Sequence, residues 1–279
     1  MISTIPQRFK SSQGLSYVKM GSGPSLVLIH GVGLRLEAWL NQMSALAEYF
    51  TVYAVDMPGH GESDLFPECR NISDYTDVLA RWIESDVVFP VVIAGHSMGS
   101  MIALNFAIRY PSKCSGVIAM NSVFRRSEKA KEAVQHRVMQ IKENITSENI
   151  TAPIKRWFDF PLKGDDVQNA QFCREWLEQA SLDGYRQAYE VFCLNDGPED
   201  SELRALNVPA LFLTGRGDPN STAEMSEAMA KLCPEGECYL VEGARHMAPM
   251  THYQEINSAI VKFFQQSINS IEEVSHEYE

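Results

Sequence analysis

Short apolar runs rich in Val, Ile, Leu and Phe recur along the chain at Ser25–His30, Phe50–Asp56, Val91–Gly95, Gly116–Asn121, Ala210–Thr214 and Cys238–Val241, each closed by a Gly, Pro, Asp or Asn signal. Unbroken apolarity over so few residues predicts strands buried on both faces, as in a parallel sheet. Between these runs the apolar positions recur at helical period over Glu37–Tyr49, Ser73–Ser85, Ser97–Tyr110, Ala223–Leu232 and Tyr253–Gln265. Strands that alternate with helices predict an α/β fold, with helices on both faces of a mostly parallel sheet.

The alternation breaks once. From Val123 to Leu206 no strand pattern is found, and amphipathic helical segments follow one another at Ser127–Asn144, Pro153–Phe160, Val167–Ala180 and Tyr185–Leu194. Strands resume at Val208-Pro209, so residues 123–206 read as a helical cap inserted into a core built from 1–122 and 207–279. The polar, acidic end Ser267–Glu279 is expected to fray.

Composition narrows the function. The 279 residues are 45% hydrophobic, 10% aromatic and 22% charged, enough for a large core, which excludes disorder and collagen-like repetition. With 24 Lys+Arg against 36 Asp+Glu the net charge is 24 − 36 = −12, a field that repels phosphate backbones and argues against a nucleic-acid partner. No stretch of about 18 consecutive apolar residues is present, and the first fifteen residues lack an apolar run of signal-peptide length. A cytoplasmic protein with no membrane insertion is expected. Cys69, Cys114, Cys173, Cys193, Cys233 and Cys238 form no CxxC pair or Cys/His cluster, which suits a reducing compartment and gives no metal site.

One serine stands where chemistry is expected. Gly95-His96-Ser97-Met98-Gly99 follows Val91–Ala94 directly and opens the helical pattern up to Tyr110, so Ser97 sits on a strand-to-helix turn that only small residues on either side permit. A hydroxyl needs a base, and the base an orienting carboxylate. His246, in Gly243-Ala244-Arg245-His246, follows the last strand and precedes the last long helix, which brings it to the C-terminal edge of the sheet. His252 begins a helical pattern, His136 lies in the cap and His276 in the tail, positions that suit solvated side chains. Asp218, in Gly215-Arg216-Gly217-Asp218-Pro219, ends another strand and falls between serine and histidine, whereas the alternative acid position holds Asn121 and Ser122. Asp56 precedes the serine and reads as scaffolding. His30-Gly31-Val32-Gly33 ends the strand beginning at Ser25, and the amides of Val32 and Met98 are the candidate donors of an oxyanion hole.

These residues resemble the α/β-hydrolase superfamily, in its cap-bearing branch of esterases, enol-lactonases, carbon–carbon bond hydrolases and cofactor-free haloperoxidases. His30-Gly31, Asp56-x-Pro-Gly-x-Gly-x-Ser63, Gly95-x-Ser97-x-Gly99, Gly215-x-x-Asp218 and Gly243-x-x-His246 fall in that family's order over about Leu15 to Gln265. The resemblance implies the α/β-hydrolase fold, an eight-stranded sheet whose second strand is antiparallel, a cap over the serine, and Ser97, Asp218 and His246 as catalytic triad. Serine at the nucleophile position departs from the branches that use Asp there, haloalkane dehalogenases and epoxide hydrolases.

The expected reaction is hydrolysis of a small carboxylic ester or lactone through an acyl-enzyme on Ser97, with no cofactor. Carbon–carbon or thioester cleavage on the same triad, and a hydrolase-fold receptor with little turnover, are the alternatives. In the cap, Trp157, Phe158, Trp176 and Tyr185, together with Tyr189 and Phe192, are candidates for the pocket wall, although aromatic residues at helical spacing more often fill a core. Arg125, beside Arg126 at the cap entrance, is a candidate partner for a substrate carboxylate. A monomer and a homodimer fit the sequence equally.

Overall fold

The computed structural model describes residues 6–143 and 147–276. Its strands are β1 (Arg8–Lys10), β2 (Ser16–Met20), β3 (Ser25–Ile29), β4 (Thr51–Val55), β5 (Val91–His96), β6 (Cys114–Met120), β7 (Ala210–Gly215) and β8 (Gly236–Val241). Helices α1 (Leu40–Leu46), α2 (Ile72–Asp86) and α3 (Met98–Arg109) lie between the early strands. Helices α4 (Glu128–Glu143), α5 (Ser147–Trp157), α6 (Asp166–Gln179), α7 (Leu182–Cys193) and α8 (Asp200–Arg204) fill the interval between β6 and β7. Then come α9 (Ala223–Leu232), α10 (Ala248–Thr251) and α11 (Tyr253–His276).

All eight strands form one sheet in the order β1-β2-β4-β3-β5-β6-β7-β8. Strands β3 to β8 run parallel, β2 is antiparallel to β4, and β1 is antiparallel to β2. Successive side chains of a strand point to opposite faces, and both faces here are apolar. Val27, Ile29, Ile93, Val117 and Phe212 pack with Tyr75, Trp82, Ile102 and Phe106 of α2 and α3. Leu26, Leu28, Val92, Ile118 and Leu213 pack on the other side with Trp39, Met43, Ile256 and Phe263. Each such side chain contributes about 1.5–3 kcal/mol by leaving water, which is why the strands read as continuous apolar runs. The capping box of α2, in which Asn71 Oδ1 accepts from the Asp74 amide at 3.0 Å and Asp74 Oδ2 from the Asn71 amide at 3.1 Å, fixes where that helix starts.

Five segments differ from what the hydropathy pattern predicts. Strands β1 and β2 leave no apolar run, because β1 has three half-buried or exposed residues and β2 ends in Lys19 and Met20. The Glu37–Tyr49 segment divides into a 3-10 turn, Leu36–Trp39, and the short α1. Helix α5 begins at Ser147 and carries Pro153 inside it, where the sequence suggested a helix that starts at proline. Proline has no N–H for the carbonyl four residues back, and the Arg137 guanidinium donates to that carbonyl, Asn149 O, instead. Finally, α11 continues to His276 as helix, through residues expected to fray.

The helices between β6 and β7 lie over the C-terminal ends of the strands and are fastened there at close range. Gln187 Nε2 donates to the carbonyls of Phe66 at 2.7 Å and Cys69 at 2.6 Å, and the Met247 amide donates to Trp157 O at 3.3 Å. Closest of all is Gly184 of α7 against Gly59: a Cβ on Gly184 would stand 2.0 Å from Gly59 O. Alanine in place of glycine favours a helix by about 0.8–1 kcal/mol, while forced overpacking typically costs about 1–3 kcal/mol. Backbone cannot yield as a side-chain tip does, so the steric cost dominates. Gly184→Ala is therefore expected to lower unfolding stability in urea, and a rise in stability would show that the two backbones are not in contact.

Candidate active site

Ser97 joins β5 to α3 with φ 55° and ψ −121°, a conformation that a side chain disfavours and that the surroundings must impose. The glycines on either side explain how. A Cβ on Gly95 would stand 2.0 Å from Gly99 O, and one on Gly99 would stand 2.3 Å from Ile29 O, so strand, turn and helix close on one another only without them. The Ser97 amide donates to Met120 O at 2.9 Å, and Ser100 Oγ donates to Ser97 O at 2.5 Å. The strained residue is thereby held from both sides.

Asp218 and His246, at the ends of β7 and β8, are brought together and buried: His246 Nδ1 donates to Asp218 Oδ2 at 2.7 Å. With Nδ1 so occupied, Nε2 carries the basic lone pair of a neutral imidazole. Asn121 Nδ2 also donates to Asp218 Oδ2, at 2.8 Å, and the Asn220 amide to Oδ1, at 2.8 Å. Burial pushes the Asp218 carboxyl up, but attraction to His246 and the donors around it outweigh that and hold it below the ordinary carboxylate range. Asn121, passed over in the sequence because it is no carboxylate, thus supports the carboxylate contributed by the next strand. The His246 ring is sandwiched between Trp157, stacked at 6.1 Å between centroids, and His96, at 4.9 Å. His96 Nε2 donates to His246 O at 2.7 Å, which fixes the backbone of the loop as well.

Ser97 and His246 face one cavity of about 280 Å³, shared with Val32. Beside it Gly31 approaches so closely that a Cβ there would stand 3.0 Å from Ser97 Cβ. The Met98 amide is first in α3 and so belongs to the orphan donors of a helix N-terminus. Val32 N–H has no acceptor among the described residues. The loop that carries it is held by two imidazoles: His30 Nε2 accepts from the Met57 amide at 3.0 Å, and His60 Nε2 from the Gly33 amide at 3.1 Å. Asp56 is occupied elsewhere, by Arg8 at 2.5 Å and the Leu36 amide at 2.8 Å. His136 is exposed on α4, and His252 accepts or donates at Thr251 Oγ1, outside the cavity lining.

The cap closes the cavity with one face from each of three helices. Ala130, Ala133, Val134 and Arg137 come from α4, Pro153, Arg156 and Trp157 from α5, and Tyr185, Tyr189 and Phe192 from α7, in each case at helical spacing. Of the wall residues suggested by sequence, Trp157 and Tyr185 line the cavity, and the structure places three others elsewhere. Phe158 is 1% exposed and points into the cap core, one position round the helix from Trp157. Trp176 stacks on Phe172 at 6.0 Å, away from the lining. Arg125 lies on the surface and pairs with Asp200, because its positive φ of 52° turns it outward, and it is the adjacent Arg126 that borders the cavity.

The family model of the α/β-hydrolase fold matches residues 24–253. The chain belongs to the α/β-hydrolase family. An (E)-2-((N-methylformamido)methylene)succinate hydrolase of Acinetobacter baylyi is 34% identical over 88% of this α/β-hydrolase and 91% of its own length. A pimeloyl-[acyl-carrier protein] methyl ester esterase of Vibrio campbellii is 24% identical over 87% and 95%. Among solved structures, a malate-bound thermophilic esterase of Thermogutta terrifontis superposes with a TM-score of 0.83 at 25% identity, covering 94% of this chain and 99% of that one. The enol-lactonase of Burkholderia xenovorans, at 22% identity and a TM-score of 0.78 over 90% and 96%, shares the fold.

The buried imidazoles of this α/β-hydrolase carry a pH signature. Burial pushes His60 down to about 4 and His96 to about 3, and it lowers His30 as well. An unfolded histidine takes its proton near 6.5. Between that value and the folded ones the unfolded chain binds protons that the folded chain refuses, so stability is complete above about pH 6.5 and is lost as pH falls. Each such residue contributes a slope of about 1.4 kcal/mol per pH unit. The urea midpoint should therefore drop steadily from about pH 6.5 to 4.5, and a level midpoint over that window would mean that these rings are solvated.

Proposed function

We propose that the protein is a serine hydrolase that cleaves a small carboxylic ester or lactone through an acyl-enzyme on Ser97. The observation that carries this reading is the gathering of Ser97 and His246 on one cavity, with His246 Nδ1 bound to a buried Asp218. His246 Nε2 takes the Ser97 proton as Oγ adds to the substrate carbonyl, and the carbonyl oxygen becomes an oxyanion at the amides of Val32 and Met98. Collapse of the tetrahedral intermediate breaks the bond to the alkoxide, which leaves with the proton from His246. Water then gives its proton to His246 and adds to the acyl carbon. The second collapse returns that proton to Ser97 and releases the acid. Asp218 stays ionised throughout and stabilises the imidazolium. A cyclic ester follows the same steps, its alkoxide remaining tethered to the acid.

The esterase relatives support acyl transfer to water as the reaction class. The name of the Acinetobacter relative holds a formamide next to a succinate, which favours as second reading the hydrolysis of an activated amide on the same residues. The oxyanion is the shared demand of both, and loss of one donor typically raises such a barrier by about 2.7–4 kcal/mol.

Treatment of the wild type and Ser97→Ala with a fluorophosphonate probe, with turnover of p-nitrophenyl esters from acetate to octanoate and of simple lactones, tests the reading. The wild type is expected to be labelled and the variant not, with turnover reduced by about 10⁴-fold or more. Equal labelling or an unchanged rate in Ser97→Ala would remove Ser97 as nucleophile.

A further inference from the structure

Three arginines border the cavity, Arg126, Arg137 and Arg156, in a protein of net charge −12. Their surroundings differ. Arg126 is fully engaged: it bonds Asp196 at 2.8 Å, Asn195 O at 2.5 Å and Phe192 O at 3.1 Å, and its guanidinium lies over the Phe192 ring at 4.3 Å. Its charge is met, so its role is to brace the cap.

Among the described residues, Arg137 and Arg156 pair with no carboxylate. Arg137 is 8% exposed, donates to Asn149 O, hydrogen-bonds Tyr185 and lies over the Tyr189 ring at 5.7 Å. Its Nε is buried with no acceptor. Arg156 forms no ion pair or hydrogen bond among the described residues, and it is near enough to Arg137 that burial and repulsion from Arg137 both work against its charge. The tyrosines do not compensate, since burial pushes the Tyr189 phenol up to about 12 and raises Tyr185 too, leaving both neutral. Asp196 is paired with Arg126 and Lys131, Glu190 with Lys142, and Asp218 is bonded to His246. Two guanidinium groups that repel each other in a partly closed cavity have no counter-charge among the described residues, and a buried polar hydrogen without an acceptor is expensive.

We propose that Arg137 and Arg156 form a carboxylate subsite, so that the substrate is an anionic acyl compound, a half-ester of a short dicarboxylic acid or a lactone that bears a free carboxylate. Guanidinium matches carboxylate in a planar, paired geometry that an ammonium cannot reproduce. The subsite lies on the cap wall of the cavity that Ser97 faces from below, so a substrate held there by one end has its scissile carbonyl presented toward the serine. A cavity of about 280 Å³ favours a short acyl chain between the two. The neutral Tyr185 hydroxyl adds a donor at the same end. This assignment rests on the reading of Ser97 as nucleophile only for the direction in which the substrate lies.

The test compares kcat/KM for a p-nitrophenyl hemisuccinate with that for the matching butyrate, in the wild type, Arg156→Gln, Arg156→Lys and Arg125→Gln. The wild type and Arg125→Gln are expected to prefer the anionic ester, and Arg156→Gln to lower that preference by roughly 10- to 100-fold, with the lysine variant between them. Binding of succinate and glutarate to Ser97→Ala, followed by calorimetry, reads the subsite without turnover and should vanish when Arg156→Gln is added. Preference for butyrate in the wild type, an unaltered ratio in Arg156→Gln, or diacid binding that survives that change would each overturn the subsite. Fluorophosphonate labelling of Arg156→Gln separates the two readings. Labelled protein that has lost diacid binding keeps both, labelled protein that still binds diacid loses the subsite alone, and unlabelled wild type that binds diacid through Arg156 loses the nucleophile alone.

Discussion

The strand-to-helix turn at Ser97 is the constraint from which the rest of this end of the molecule follows. A residue held at φ 55° keeps that shape only if everything around it leaves no alternative. Here β5 and α3 come so close that Gly95 abuts Gly99, and Gly99 in turn abuts the end of β3. That contact is possible because β3 and β5 are hydrogen-bonded neighbours at the centre of a parallel sheet, with apolar layers on both faces. Parallel strands all finish at one edge, so the loops after β3, β5, β7 and β8 meet there without any long-range search, and four residues far apart in sequence share one small volume. The core thus contributes to chemistry through rigidity: burial on both faces prevents the turn from relaxing into a commoner backbone conformation.

Much of this was legible from the chain. The inner parallel strands β3 to β7 stand out because two-sided burial demands unbroken apolar runs, whereas β8, expected to be buried as well, is a largely exposed edge strand; the turn after Val91–Ala94 stands out because glycines two positions either side of a serine have few other uses. Asp218 and His246 were found by position, each just past a strand. The outer strands were not found, since a three-residue edge strand such as β1 buries too little to leave a pattern. Within the cap the sequence misdirects. Trp157 and Phe158 are neighbours of the same kind, yet at the end of α5 one lines the cavity and the other is buried in the core, and the neighbours Arg125 and Arg126 likewise part, one to the surface and one to the cavity. Arg137 and Arg156 gave no signal individually. Only after α4 and α5 are placed do Ala130, Ala133, Val134 and Arg137 emerge as one face, with small residues that leave room and an arginine that has no acid beside it.

Charge is divided unevenly between the two parts of the site. Below, in the sheet edge, the imidazoles of His30, His60 and His96 are kept neutral by burial and serve as hydrogen-bond struts, and the buried carboxylates Asp56 and Asp218 are each held by a partner, Arg8 and His246. Above, in the cap, positive charge is left over. Ser97, Asp218 and His246 on one side and the arginines of the cavity wall on the other thus come from separate stretches of chain, joined where Gly184 meets Gly59. Substitutions on the inner faces of α4, α5 and α7 can change what enters the cavity without disturbing the backbone that holds the serine.

Pro153 links the two levels. An interior proline is usually a defect in a helix, because it leaves one carbonyl of the ladder unclaimed. In α5 that carbonyl belongs to Asn149, and the Arg137 guanidinium of the facing helix claims it. With any residue that has an amide hydrogen at position 153, the helix would close its own ladder and compete with arginine for the same oxygen. The cap therefore aims a cation by means of an imperfection: a missing proton in one helix sets the direction of a side chain in the next, and a small irregularity of backbone decides where a charge stands on the cavity wall.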